Sequence, residues 1–99
     1  MKNYFIYIIT NPNKTVLYIG VTNNLKRRIS EHTNNRRLPK TFAGRYHCNK
    51  LIYFEQFNDI NLAIKREKQL KKWTREKKEK LIATKNKNWD FYNTELFSE

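Results

Sequence analysis

Five side chains in this 99-residue sequence have the types needed for chemistry and a spacing that can bring them together: Tyr7, Tyr18, Arg28, His32 and Glu67. A guanidinium is a planar, permanently charged fork that fits an oxyanion. Phenol and imidazole carry protons, and a carboxylate can hold a hard divalent cation. Leu25, Arg28, Ile29 and His32 stand at the i, i+3, i+4 and i+7 positions of a helix, so Arg28 and His32 point the same way. A set of this kind moves protons beside a bound anion. Each member also has a plainer reading: paired tyrosines usually belong to a core, and a helix arginine or histidine usually satisfies backbone or acidic groups nearby. Their convergence is what favours chemistry.

The elements that must position them begin with a hydrophobic hairpin running into a basic helix. Residues 4–10 and 16–21 are rich in β-branched and aromatic side chains and flank the breaker Asn11-Pro12-Asn13-Lys14. A loop of those four residues puts Thr10 opposite Thr15, Tyr7 opposite Tyr18 and Phe5 opposite Gly20, with both tyrosines on one face. Thr22-Asn23-Asn24 supplies the N-cap of a helix from Leu25 to about Asn34. Residues 51–57 form a third strand, apolar on both faces until Glu55 and Gln56, which calls for helices on both sides of the sheet. Antiparallel pairing of this strand with the first places the first in the centre and makes the intervening connection a right-handed crossover. Asp59 caps a helix from Ile60 to about Lys72, and Thr74 caps a third that ends near Thr84. The expected fold is α/β in the mixed α+β sense: a three-stranded antiparallel sheet flanked by three helices, in one domain over residues 1–99.

Charge is the loudest compositional feature: 21 Lys and Arg against 9 Asp and Glu give +12. The excess is clustered. Residues 26–50 hold eight basic side chains against Glu31, residues 65–87 hold eleven against Glu67, Glu76 and Glu79, and the stretch after Trp89 is purely acidic. Clustering fits a polyanion footprint better than a coat that merely keeps the protein dispersed. Hydrophobic residues at 38% imply a thin core that leans on aromatics. Cys48 is the only cysteine, which removes an internal disulfide and a cysteine zinc site and makes a reducing cytoplasm the default. The apolar run after Lys2 stops at Ile9 without a small-residue cleavage site, and nothing approaches a ~20-residue membrane span.

Between the first helix and the third strand, Arg36, Arg37, Lys40 and Arg45 with Phe42, Tyr46 and His47 suit phosphate contact and base stacking. A solvated linker with Phe42 tucked into the core is the equal alternative. On the second helix Ile60, Ala63, Ile64 and Leu70 make one stripe with Glu67 in its middle, so this acid faces the sheet although Lys65, Arg66 and Lys68 surround it in sequence. A buried carboxylate needs a partner, and helix geometry alone favours an inward arginine such as Arg28 over a metal ion. Beyond the third helix, residues 86–92 form an aromatic turn that folds back onto the core.

The hairpin and helix resemble the core of the GIY-YIG nuclease superfamily. Phe5-Ile6-Tyr7 matches its first triplet, Tyr18-Ile19-Gly20 its second, and residues 24–32, from Asn24 to His32, the helix that follows. Phe5 replaces the glycine of the first triplet, a pattern similar to that of the small stand-alone members. The resemblance implies that Glu67, within residues 63–73, is the metal-binding glutamate carried on the helix after the third strand, which reverses the balance reached from helix geometry. It also makes Asn86 the match for an asparagine that approaches the active site; the usual Asn-Pro is Asn-Lys here, and a plain turn residue is the alternative.

The implied activity is metal-dependent endonucleolytic hydrolysis of phosphodiester bonds in DNA, structure-directed or weakly sequence-specific, with a role in DNA repair or recombination; RNA stays open as a substrate. Hydrolysis needs an activated water, charge neutralisation at the phosphate and help for the departing oxygen. Tyr7 or Tyr18 would be the general base if cations and a metal lower a phenol pKa that starts near ~10. Arg28 would hold the scissile phosphate, His32 would orient a phenol or carry a proton, and Glu67 would bind one Mg²⁺ or Mn²⁺. Arg27, Arg36, Arg37, Lys40, Arg45, Tyr46, Lys71 and Asn86 are the expected nucleic-acid contacts. A non-catalytic nucleic-acid-binding module of the same fold and a structural protein of ribonucleoprotein particles are the competing readings. Neither requires the phenols or an inward acid.

Overall fold

The computed structural model describes residues 3–34 and 48–94. Three strands and three helices follow one another as β1 (Tyr4–Thr10), β2 (Leu17–Thr22), α1 (Leu25–Asn34), β3 (Lys50–Phe57), α2 (Ile60–Lys71) and α3 (Arg75–Ala83). The sheet is antiparallel in the order β2-β1-β3, so β1 is central and α1 carries the chain across it. From Ile6 to Thr10 the central strand is buried on both faces, as its run of apolar residues requires.

Side-chain alternation divides the core. Tyr7 and Ile9 project to one face, where Leu25 and Ile29 of α1 and Leu51 cover them. Ile6, Ile8 and Ile19 project to the other, where Ala63 and Leu70 of α2 and Ile82 of α3 close the layer. A bulge between Ile8 and Ile9 shifts the β3 register; Ile52 and Tyr53 both turn to the α2 side, and Leu51 keeps its place under α1. The caps of the two later helices are as expected. Asp59 accepts from Asn61 N at 2.8 Å, and Thr74 Oγ1 accepts from Lys77 N at 3.3 Å.

The hairpin register differs from the four-residue-loop expectation. Tyr7 pairs with Gly20, Ile9 with Tyr18 and Phe5 with Thr22, because the loop extends over residues 11–16. Asn11 is the reason: its Oδ1 accepts from Thr15 N at 2.8 Å and Val16 N at 3.0 Å, which takes those two amides out of the ladder. Lys14, at φ 58°, closes the turn by donating to Asn11 O at 2.9 Å. A slip of two residues preserves face parity, so Tyr7 and Tyr18 still share a side, with ring centroids 6.4 Å apart. On α2 the inward stripe is Ala63, Glu67 and Leu70, whereas Ile60 is 38% exposed at the start of the helix.

Candidate active site

The Tyr7 phenol is the centre of the cluster. It lies over Gly20 of the edge strand β2: a Cβ built on Gly20 would overlap the Tyr7 hydroxyl and Cζ and stand 2.9 Å from Cε2. Glycine is required here for the close approach of a side chain, since its backbone has no positive φ. Arg28 Nε donates to the Tyr7 hydroxyl oxygen at 3.3 Å, and His32 Nε2 is 3.0 Å from the same oxygen. In the tautomer that carries its proton on Nδ1, His32 Nε2 accepts the hydroxyl proton while the oxygen accepts from Arg28. Tyr18 completes the cluster edge-on to His32, with centroids 5.7 Å apart.

α1 delivers these groups because its helical period puts Leu25 and Ile29 into the core while Arg28 and His32 stand beside them over the phenol. Asn24 starts the helix, its Oδ1 accepting from Arg27 N at 3.0 Å. The Arg28 side chain is 44% exposed and its Nη1 reaches Glu31 at 3.3 Å, so Nε and Nη1 are both engaged in a guanidinium that is still partly open to solvent.

Electrostatics sets the resting protonation. Burial raises the Tyr7 pKa above its ordinary value; the hydrogen bond and charge of Arg28 work against this, and the Tyr18 and Glu67 charges add to it. Burial, with the Arg28 charge beside it, lowers His32 to about 4, against an opposing pull from Glu31. At neutral pH the pair is therefore a neutral phenol facing a neutral imidazole, a donor and an acceptor of one proton.

Glu67 comes from α2, which packs on the Ile6 and Ile19 side of the sheet, yet its charge is felt at Tyr7. Its side chain is 15% exposed, and its ion-pair partner is Lys71 Nζ at 3.6 Å, not the inward Arg28 expected from helix geometry. Arg28 is already held by Tyr7 and Glu31. Among the described residues no group of three or more acidic, histidine or cysteine side chains converges to hold a metal. A shielded carboxylate tied only to a half-exposed lysine still fits Mg²⁺ or Mn²⁺, since such ions retain several waters and take one or two protein carboxylates beside substrate phosphates.

A second partly buried ion pair lies elsewhere, and the sequence reading missed it. Arg66 forks onto Glu55, Nε to Oε1 at 2.9 Å and Nη2 to Oε2 at 3.0 Å, while the Tyr53 hydroxyl donates to Glu55 and Trp73 lies under the guanidinium. Alternation along β3, which puts Tyr53 and Glu55 on one face, and the angular place of Arg66 beside Leu70, at the edge of the inward stripe, were the available signals.

Of the expected nucleic-acid contacts, Arg36, Arg37, Lys40, Arg45 and Tyr46 lie outside the described residues. Arg27 is exposed and donates to Asn23 Oδ1 at 3.0 Å; Lys71 is the half-exposed partner of Glu67. Asn86 lies inside the fold. It is 4% exposed, its Nδ2 donates to Ile52 O at 2.8 Å and Asp90 O at 2.9 Å, and its Oδ1 accepts from Asp90 N at 2.9 Å. Both protons of its amide and its Oδ1 fasten the aromatic turn to β3.

This constellation of two phenols, an arginine and a histidine over a glycine can be set against known proteins. The GIY-YIG catalytic domain matches residues 3–80. The chain belongs to the GIY-YIG family. Its relatives in that family are small proteins of similar length. A UPF0213 protein of Clostridium perfringens is 39% identical over 92 residues, covering 93% of this chain and 96% of that one. A UPF0213 protein of Natronomonas pharaonis is 33% identical, with 82% of this chain and 92% of that one covered. The UPF0213 protein YhbQ of Escherichia coli is 32% identical, with 84% and 80% covered. The solution NMR structure of a UPF0213 protein from Bacillus halodurans superposes with a TM-score of 0.56 at 28% identity, covering 97% of both chains. The GIY-YIG fold, a three-stranded antiparallel sheet with three helices, is thus shared with a solved relative. No helix among the described residues is long and apolar enough to cross a membrane.

Proposed function

We propose that the protein is a metal-dependent endonuclease that hydrolyses phosphodiester bonds in DNA, acting in DNA repair or recombination, with Tyr7, Tyr18, Arg28, His32 and Glu67 as its working residues. The observation that carries the reading is the Tyr7 hydroxyl held between Arg28 and His32 above a glycine that exists to admit it. A nucleic-acid-binding module has no use for a phenol whose proton is aimed at an uncharged imidazole.

In this reading the open side of the Arg28 guanidinium binds the scissile phosphate and takes up the negative charge that grows on it. Tyr7 takes a proton from the attacking water as it passes its own to His32 Nε2, so that no free phenolate has to form. The imidazolium so formed holds a proton that the departing oxygen requires. Tyr18 packs against both rings and keeps His32 on Tyr7. A divalent cation held by Glu67 would supply positive charge at the phosphate and oppose the rise that burial imposes on the Tyr7 pKa. The clustered lysines and arginines, with exposed Lys65, Lys68 and Lys72 along the outer side of α2, supply salt-sensitive affinity without sequence preference.

The test is cleavage of labelled linear and branched DNAs, and of RNA, by wild type and Tyr7→Phe, in Mg²⁺ and in EDTA. Cutting by wild type in Mg²⁺ alone, lost in Tyr7→Phe, is the expected result. Absence of cutting on every substrate, with binding intact, returns the protein to the non-catalytic module.

A further inference from the structure

α1 covers only part of the sheet face on which Tyr7 lies. Tyr7 and Ile9 are buried beneath Leu25 and Ile29, whereas in the rows beyond them Phe5 is partly buried and Phe54 is exposed. Phe5 follows Tyr7 on the same face, ~7 Å along the strand. Phe54 stands opposite Tyr7 in β3, and Gln56 and Thr22 stand opposite Phe5 on its two sides. Phe54 is 37% exposed, one of three large hydrophobic side chains so exposed among the described residues, and the other two, Ile60 and Leu62, belong to α2. Phe5 and Phe54 meet edge-on with centroids 6.1 Å apart, and Tyr92 continues the row 6.2 Å beyond Phe54. At the end of the row Gln56 is exposed, its Nε2 donating to Asn3 Oδ1 at 2.9 Å.

Resting on the nuclease reading above, we propose that this partly exposed half of the sheet, centred on Phe5 and Phe54 with Gln56 at its margin, stacks the unpaired bases that adjoin the phosphate held at Tyr7 and Arg28, making single-stranded DNA the preferred substrate segment.

Three features select this occupant. Aromatic rings on a sheet offer their surface to a base that is not already stacked and paired, so a duplex gains nothing from them. The row is continuous with the phosphate-binding cluster, because Tyr7 is the sheet partner of Phe54 and the neighbour of Phe5 on that face. The chain carries +12, which attracts a polyanion and opposes a second copy of itself. Two partly exposed phenylalanines also fall well short of the ~800 Å² that each partner of a stable protein dimer covers. Gln56, with both a donor and an acceptor, suits the edge of a splayed base.

Binding of labelled oligo-dT and of a blunt duplex of equal length, measured in EDTA so that cleavage plays no part, tests the platform with wild type, Phe54→Ala and Phe54→Tyr. Phe54→Ala should weaken oligo-dT binding about five-fold or more, the lower range of base–aromatic stacking, and Phe54→Tyr should restore it. Duplex binding, carried by phosphate contacts, should change by less than about two-fold. Circular dichroism of the variants establishes that each is folded. Equal loss on both nucleic acids, or no loss on oligo-dT, overturns the platform whatever the cleavage assay shows. So does a concentration-dependent dimer that Phe54→Ala abolishes. A selective loss in a protein that cuts nothing upholds the platform and removes the nuclease reading alone.

Discussion

Gly20 stands directly opposite Tyr7 in the β1–β2 ladder, and the phenol lies in the space a side chain there would fill. Gly20→Ala should therefore act on Tyr7 more than on the backbone. Expelling the ring from its bonds with Arg28 and His32 should reduce cleavage by about two orders of magnitude, at an overpacking cost of ~1–3 kcal/mol. Cleavage rates and thermal melting of the variant check both; wild-type activity in Gly20→Ala would mean that the Tyr7 geometry is incidental.

Arg28 and Arg27 are adjacent in sequence and turn different ways. Arg28 Nε reaches Tyr7, whereas Arg27 turns to Asn23 at the helix start. Arg28→Ala should lower cleavage by about a hundred-fold or more, and Arg27→Ala only to the extent that one phosphate contact weakens binding. Rate measurements on folded variants at saturating DNA separate them, and matched losses would reduce both residues to surface charge.

Glu67 and Glu55 are inward acids with different partners. Glu67→Gln should abolish Mg²⁺-dependent cleavage and any rise in melting temperature on adding Mg²⁺, while DNA affinity holds or increases. Glu55→Gln deprives the partly buried Arg66 of its counter-charge and should cost ~2 kcal/mol, on the order of 10 °C in a chain of this size, with metal response unchanged. Melting curves with and without Mg²⁺ read out both effects; a Glu67→Gln protein that still cuts in Mg²⁺ removes this residue from the metal site.

His32 links stability to pH. Its folded pKa is near 4, below the ordinary 6.5, so between those values the unfolded chain binds a proton that the native chain does not. Stability from this group is fully present above 6.5 and is lost as pH falls towards 4. His32→Gln should flatten that part of the melting-temperature profile. An unchanged slope across the interval would show that His32 is not held neutral by the fold.

Asn86→Ala should cost ~1–3 kcal/mol, since it removes bonds to Ile52 and Asp90 and leaves the buried Ile52 carbonyl without this donor. DNA affinity at fixed salt should be unaltered. A weakened binding constant in the folded variant would restore Asn86 to the nucleic-acid surface.

The sequence by itself determined what local rules govern. Alternation and turn chemistry mark β1 and β2, Asp59 and Thr74 begin their helices, and the i, i+4 spacing aims Arg28 and His32 together, because each depends on neighbours within a few residues. The GIY-YIG pattern was legible for the same reason: most of its residues lie within one hairpin and one helix. Tertiary structure decided the rest. The β1–β2 register turned on whether the Asn11 side chain would capture the amides of Thr15 and Val16, a choice between local bonding and the ladder that propensity does not resolve. Periodicity showed that Glu67 faces inward but not which cation meets it, since Arg28, Arg66 and Lys71 compete for the acids and only packing on the sheet brings Arg66 to Glu55 and leaves Glu67 with Lys71. Asn86 could be read as a ligand or as a turn residue until the distance to Ile52, 34 residues away in the chain, gave its amide a partner.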